Sequence, residues 1–223
     1  MSLLGKGVVA IWHEVQPAAR ADFFEWHNRE HMLERVGIPG FLRGRRYSAL
    51  TGEPELCTLY ETESVGVLTG PRYMARLENP TPWTRRAAAQ LFGNVRSLCS
   101  VALSLGSGQG GLLMTWRYDV APGSEDAHRA LIEFRLHALA ARAGIVGAHL
   151  CLGDAQASAV QTAEKKMRPN KALTPNWVVL VEGGGERESL EQACTELLPT
   201  ARLVEAGALN LATGLYQLQF QPQ

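Results

Sequence analysis

Within residues 25–37, "EWHNREHMLERVG", His27, Glu30 and His31 lie little more than one helical turn apart. Imidazoles four residues apart can share a metal ion, and His27-Asn28-Arg29-Glu30-His31 spells the H-x-x-E-H order of inverted zinc peptidases. Those enzymes set the motif in a large helix-rich domain with a third ligand, and no third ligand is evident here. No metal is expected. A histidine beside a buried carboxylate can instead move a proton near neutral pH. That chemistry predicts His27 as the proton shuttle, with Glu30 setting its tautomer or acting as the base. His31 completes the catalytic group.

Spacing adds the groups that would hold a substrate. In "RGRRY", Arg43, Arg45 and Tyr47 alternate onto one strand face while Arg46 points the other way. Arg43, Arg45 and Tyr47 would orient an acidic substrate, and Trp12, Trp26, Trp83 and Tyr73 could wall a pocket for a ring. Placed at 100° per residue, Ala19, Phe23, Trp26 and Leu33 form the stripe that should face a sheet. Glu30 falls inside that stripe, His27 and Glu34 on its edge, and His31 farther round. A carboxylate aimed at a sheet must be neutralised, paired or hydrated, so Glu30 either meets an arginine such as Arg43 or Arg45 or lines a pocket.

The elements that must carry these residues occur twice. "GVVAIWHEV" (7–15) matches "GLLMTWRYDV" (111–120), and "VGIPGF" (36–41) matches "AGIVGA" (143–148). "CTLYET" (57–62) matches "VVLVEG" (178–183), aligning Glu61 with Glu182. Each copy reads as strand, helix, strand, strand, helical region, strand, the βαββαβ order of a ferredoxin-like unit. Pro17 opens the first helix and Gly37 closes it; Thr81 and Pro82 start a later one. One such unit leaves a sheet face bare. The expected architecture is therefore α+β: two tandem ferredoxin-like repeats, residues 1–107 and 108–223, packed sheet to sheet as a pseudo-dimeric barrel. The glycine-rich "SLGSGQGG" (104–111) is read as the joint.

The copies differ in two places. Aligning Gly37 with Gly144 puts Phe134, His137 and Ala138 where His27, Glu30 and His31 stand, so the polar group belongs to one half. Copy two also carries the insertion "AQASAVQTAEKKMRPNKALTP" (155–175), read as a lid or, preferentially, a disordered excursion.

Composition excludes other classes. The formal net charge is zero with 46% hydrophobic residues, and no basic stripe is interleaved with aromatics, which argues against a nucleic-acid partner. No apolar run reaches the roughly 20 residues of a membrane span. Four scattered cysteines without CxxC spacing are expected to be reduced thiols, and no secretory leader is evident, so a cytoplasmic protein is expected. No G-x-S-x-G elbow occurs, and the glycine-rich "VEGGGERE" (181–188) lacks the lysine of a phosphate loop, so no cofactor is expected.

The tandem βαββαβ pattern, with "WHNREHMLER" (26–35) followed by "IPGFLRGRRY" (38–47), resembles the dimeric α+β barrel superfamily, and within it EthD-like and uncharacterised bacterial proteins. The resemblance covers the whole chain as architecture and residues 26–47 as motif. It implies pockets between sheet and helices, and it matches the first-helix histidines of EthD-like members to His27 and His31. The superfamily spans cofactor-free monooxygenases, isomerases, cyclases, stress-responsive proteins and haem enzymes; for a haem, His137 would be the axial candidate. Two functions follow as expectations: a cofactor-independent enzyme acting by proton transfer or oxygenation on an acidic or aromatic metabolite, or a non-catalytic small-molecule-binding or stress-associated barrel. Pairing of the fused pseudo-dimer into a homodimer is a further possibility.

Overall fold

The computed structural model describes residues 3–167 and 173–223. Among them, eight antiparallel strands close into one barrel in the order β1-β3-β2-β8-β5-β7-β6-β4. Strands β1 (Gly7–Val15), β2 (Phe41–Gly52), β3 (Leu56–Thr62) and β4 (Leu91–Gly106) form the first half; β5 (Leu112–Val120), β6 (Ile145–Gly153), β7 (Trp177–Gly183) and β8 (Ala208–Phe220) form the second. Each half has the order 4-1-3-2, and the halves meet edge to edge where β2 pairs with β8 and β4 with β6. Closure leaves no strand edge unpaired. The joint is shorter than the composition suggested. Ser104–Gly106 belong to β4 and pair with Gly147–His149 of β6.

Alternation along each strand separates two cores. On β1, Val8, Ala10 and Trp12 point into the barrel, where they meet Cys57, Leu59, Val178 and Tyr216. Val9 and Ile11 point outward, beneath the helices of the first half. The second half packs α5 (Glu125–Ala140), α8 (Arg187–Leu197) and α9 (Thr200–Glu205) over Trp116, Val179 and Leu150.

The barrel interior holds an ion cluster as well as apolar side chains. Arg45 bridges the halves, reaching Glu182 of β7 at 2.8 and 3.1 Å and Glu61 of β3 at 3.0 Å. Arg43 closes a two-pronged pair on Glu61, and backbone amides just before β1 and β5, those of Leu4 and Gly110, donate to Glu61 and Glu182. Arg43, Arg45 and Tyr47 thus share a face opposite Arg46, as the alternation predicts.

In the first half, a 3-10 turn (Pro17–Ala19), α1 (Arg20–Trp26), a π turn (His27–His31) and α2 (Met32–Val36) make one unbroken helix. It ends as expected: the Gly37 amide closes on Leu33, Pro39 cannot extend the helix, and Gly40 takes a left-handed φ of +95°. Gly44 of β2 lets α2 lie close on the sheet, because a Cβ there would sit about 3.0 Å from Val36 and 3.1 Å from Met32 and Tyr60. After β3 come a 3-10 turn (Val65–Thr69), α3 (Pro71–Glu78) and α4 (Pro82–Ala88), whose N-cap Thr81 accepts from the Thr84 amide at 2.9 Å.

The insertion of the second half departs from its preferred reading as disorder. Asp154 and Thr162 cap two short helices, α6 (Ala155–Ala159) and α7 (Ala163–Lys166), by accepting from the Ala157 and Lys165 amides. Both lie against the first half. Residues 168–172 of that segment fall outside the described residues. Beyond them, Leu173 rejoins β4 through hydrogen bonds with Asn94 and Arg96.

Candidate functional site

The π turn decides which side chains of the first helix are buried. The amide of Met32 bonds the carbonyl of His27, five residues back, so this turn takes up more residues than an α turn. A wheel drawn at 100° per residue loses phase across it. Phe23, His27, His31 and Arg35, spaced by four, all become buried, whereas Leu33 is 47% exposed. His31, placed well off the sheet-facing stripe by the wheel, belongs to the buried face.

Glu30 turns the other way. Its Oε1 accepts from the hydroxyls of Thr81 and Thr84, at 2.5 and 3.2 Å. It therefore braces the start of α4, where a negative charge suits the helix dipole. It meets neither Arg43 nor Arg45 and lines no cavity with the histidines. The reading of Glu30 as a sheet-facing base is corrected on both counts.

His27 is set by a cation rather than a carboxylate. Arg46 Nη1 lies 2.9 Å from His27 Nδ1. A guanidinium can only donate, so Nδ1 accepts and the ring proton sits on Nε2. Burial, reinforced by the charges of Arg46, His13 and Arg35, pushes the His27 pKa well below its ordinary value of 6.5. Arg46 is itself 2% exposed, has no carboxylate partner among the described residues, and lies between the rings of Phe24 and Phe220.

A pH dependence follows. The unfolded chain protonates His27 near 6.5 while the folded chain does not, so folded stability is lost as pH falls below that value. The slope from this group approaches about 1.4 kcal/mol per pH unit until the native pKa is reached. His27→Gln, which keeps an acceptor for Arg46, should flatten this part of a melting-temperature-against-pH curve. Parallel curves for the two proteins would remove His27 as the cause.

A cavity of about 210 Å³ opens between the first-half sheet and its helices. The sheet supplies Ile11, Tyr60, Arg96 and Leu98; α3 and the turn before it supply Leu68, Tyr73, Met74 and Leu77; the helix contributes His31 and Arg35. The far wall comes from the other half: Ala157, Val160, Thr162 and Glu164 of the insertion. Arg35, 2% exposed, is shared between Glu34 at 2.8 Å and Glu164, its buried partner across the cavity. Arg96 donates to the Tyr73 hydroxyl at 3.1 Å and has no carboxylate partner among the described residues. The Tyr60 hydroxyl is buried with no hydrogen-bond partner among them, and burial raises its pKa, so it stays protonated.

The proposed substrate-holding residues lie elsewhere. Arg43, Arg45 and Tyr47 face the barrel interior, on the opposite side of the sheet from the cavity, because strand alternation puts them there. Trp12 is inside the barrel beneath Arg117. Trp26 donates to Thr84, and Trp83 donates to Asp22, so both brace α1 against α4. His137 is exposed on α5 and lines no first-half cavity. Of the named residues, His31 and Tyr73 line the first-half cavity. Tyr60, Arg96, Arg35 and Glu164 were missed. Tyr60 was open to inference, since it alternates with Glu61 on β3 and must face the helices. The others depend on which segments fold over the sheet.

No family model matches the chain, and no curated protein does. Several solved structures share its fold. An anthrone oxidase-like protein is 12% identical with a TM-score of 0.62, covering 100% of this chain and 95% of its own. A proposed monooxygenase of Fusobacterium nucleatum is 10% identical with a TM-score of 0.61, covering 99% and 96%. A proposed chlorite dismutase is 10% identical with a TM-score of 0.57, covering 96% and 95%. At such identities the likeness shows the fold alone, a closed antiparallel barrel with helices packed outside it. No helix among the described residues is long and apolar enough to cross a membrane.

Proposed function

We propose that this protein is a small-molecule enzyme of the α+β barrel type, working by proton transfer or oxygenation on an acidic or aromatic metabolite held in the first-half cavity. The observation that carries this reading is Arg96, an arginine with no carboxylate partner among the described residues, on the wall of a largely apolar cavity that the buried His31 also lines. Such a cavity favours a ring, and Arg96, steadied by Tyr73, would take the ligand's carboxylate or phenolate oxygen. His31 would take and return the proton. His27 acts behind it, its ring stacked 5.5 Å from that of His31.

The neighbours described as monooxygenases support the oxygenation branch through shared fold only. The His27–His31 pair supports an EthD-like kinship. Matching strand order in the halves, with Glu61 and Glu182 at matching places, supports an origin by duplication with units 1–107 and 108–223. Four free, buried cysteines support a reducing compartment such as the cytoplasm.

The test is a thermal-shift screen with aromatic carboxylates and quinones on wild type, Arg96→Gln and His31→Ala. Acids should raise the wild-type midpoint, and Arg96→Gln should bind them at least about tenfold more weakly, as loss of a charged contact implies. His31→Ala should keep binding yet lose turnover of any ligand that wild type converts. Binding without turnover by wild type would favour the non-catalytic barrel. Equal shifts in all three proteins would overturn the site.

A further inference from the structure

Behind the large cavity lies a second void of about 10 Å³ that shares Ile11, His31 and Tyr60 with it. Its remaining polar walls are His13, His27 and Thr58. Thr58 and Tyr60 alternate onto the same face of β3 and are 1% and 2% exposed. Neither hydroxyl has a hydrogen-bond partner among the described residues. Two adjacent unpaired hydroxyls are costly to bury, and a void of this size with several polar walls suits a single water.

We propose that one internal water occupies this void, bonded to His27, Thr58 and Tyr60, and that by donating to Tyr60 it leaves the Tyr60 hydroxyl proton to face the cavity. The first bonds of the chain follow from the buried end, and the rest are part of the proposal. Arg46 only donates, so His27 Nδ1 accepts and Nε2–H is the proton left to offer. His27 donates to the water oxygen; the water's two protons then go to Thr58 Oγ1 and Tyr60 Oη. Accepting from the water, Tyr60 keeps its own proton to point outward. The ligand atom that meets this proton is an acceptor: a carbonyl, carboxylate or phenolate oxygen. No proton changes owner in this chain, so it orients a ligand without itself reacting. Arg46 and Thr58 are positioning residues, and Tyr60 is the one that touches the ligand.

This inference rests on the cavity being a ligand site, but its first test needs no ligand. In a high-resolution crystal structure of the free protein, one ordered water should lie within hydrogen-bond distance of both hydroxyls. Nitrogen-15 shifts should report His27 as the Nε2–H tautomer. Thr58→Val, close in shape, should lose that water and keep the fold. A dry void, or His27 carrying its proton on Nδ1, overturns the chain even if the cavity binds ligands.

The second test compares 2-naphthoate with 2-naphthylmethylamine on wild type and Tyr60→Phe. The acid should bind wild type at least about tenfold more tightly than Tyr60→Phe, while the amine should not distinguish them. Equal loss of both probes, or none, overturns the assignment of a donor. Should neither probe bind wild type, the functional reading fails for these probes, and the water and tautomer still decide the chain.

Discussion

Arg45→Met should destabilise the barrel by about 3–5 kcal/mol, the range for removing one partner from a buried ion pair. The side chain is fully buried and joins the halves through Glu61 and Glu182. Its loss leaves Glu182 with His149, whose Nε2 stands 3.5 Å away, and with the Gly110 amide. Glu61 retains Arg43. The damage should therefore fall on the second-half carboxylate, and adding Glu182→Gln should recover part of the stability. Acid acts on the same group. Burial alone would raise the Glu182 pKa, but hydrogen bonds from His149 and Arg45 outweigh it and hold it at about 2. Stability from this carboxylate is present above its unfolded value of about 4.5 and is lost as pH falls from there toward 2. Chemical denaturation of wild type, the single variant and the double variant at neutral pH settles the matter. A loss below about 1 kcal/mol for Arg45→Met would show that the cluster does not hold the halves together.

Arg35→Leu should release the insertion without unfolding the barrel. Arg35 and Glu164 are 129 residues apart in sequence, and their side chains are 3% and 8% exposed. Breaking such a pair inside a rigid core would cost about 3–5 kcal/mol. Here the acidic partner sits on a short helix, α7, that can turn toward water, so the cost should appear as local opening rather than global melting. That energy corresponds to roughly a 10²–10⁴-fold rise in the open population. Amide exchange over residues 155–167 should accelerate by such a factor while β1 and β3 remain protected. The Asp154 amide, bonded to the Leu98 carbonyl of β4, marks where the change should stop. Uniform acceleration over the whole chain would mean that the pair stabilises the fold and does not seat the cover. Glu164→Gln should give a smaller effect of the same pattern.

The fold was legible because its signals are local. Alternation on β2 separated Arg46 from Arg43, Arg45 and Tyr47. Pro17, Gly37, Thr81 and Pro82 marked helix ends through backbone properties that do not depend on neighbours. The site was less legible because one of its determinants is an irregular turn and two are not local. A wheel of fixed period has no place for the π turn, and that one turn moved His31 inward and left Glu30 facing α4. The partners of Arg43 and Arg45 depended on which strands close the barrel, so the nearby Glu30 was the wrong guess and Glu61 and Glu182 the right ones. The cover over the cavity comes from the other half of the chain, seated by the pairing of Arg35 with Glu164 and by the hydrogen bond from the Leu98 amide to Ser158.

The borrowed wall bears on how such a barrel can change. When two identical subunits close a barrel, any residue added to one is added to both, and a segment that shelters one pocket must shelter its twin. A single chain carrying both halves is free of that constraint. Here one half can specialise as the vessel and the other as its covering, each altered without disturbing a symmetric copy. Selection on the vessel can then act through mutations more than a hundred positions away in the gene.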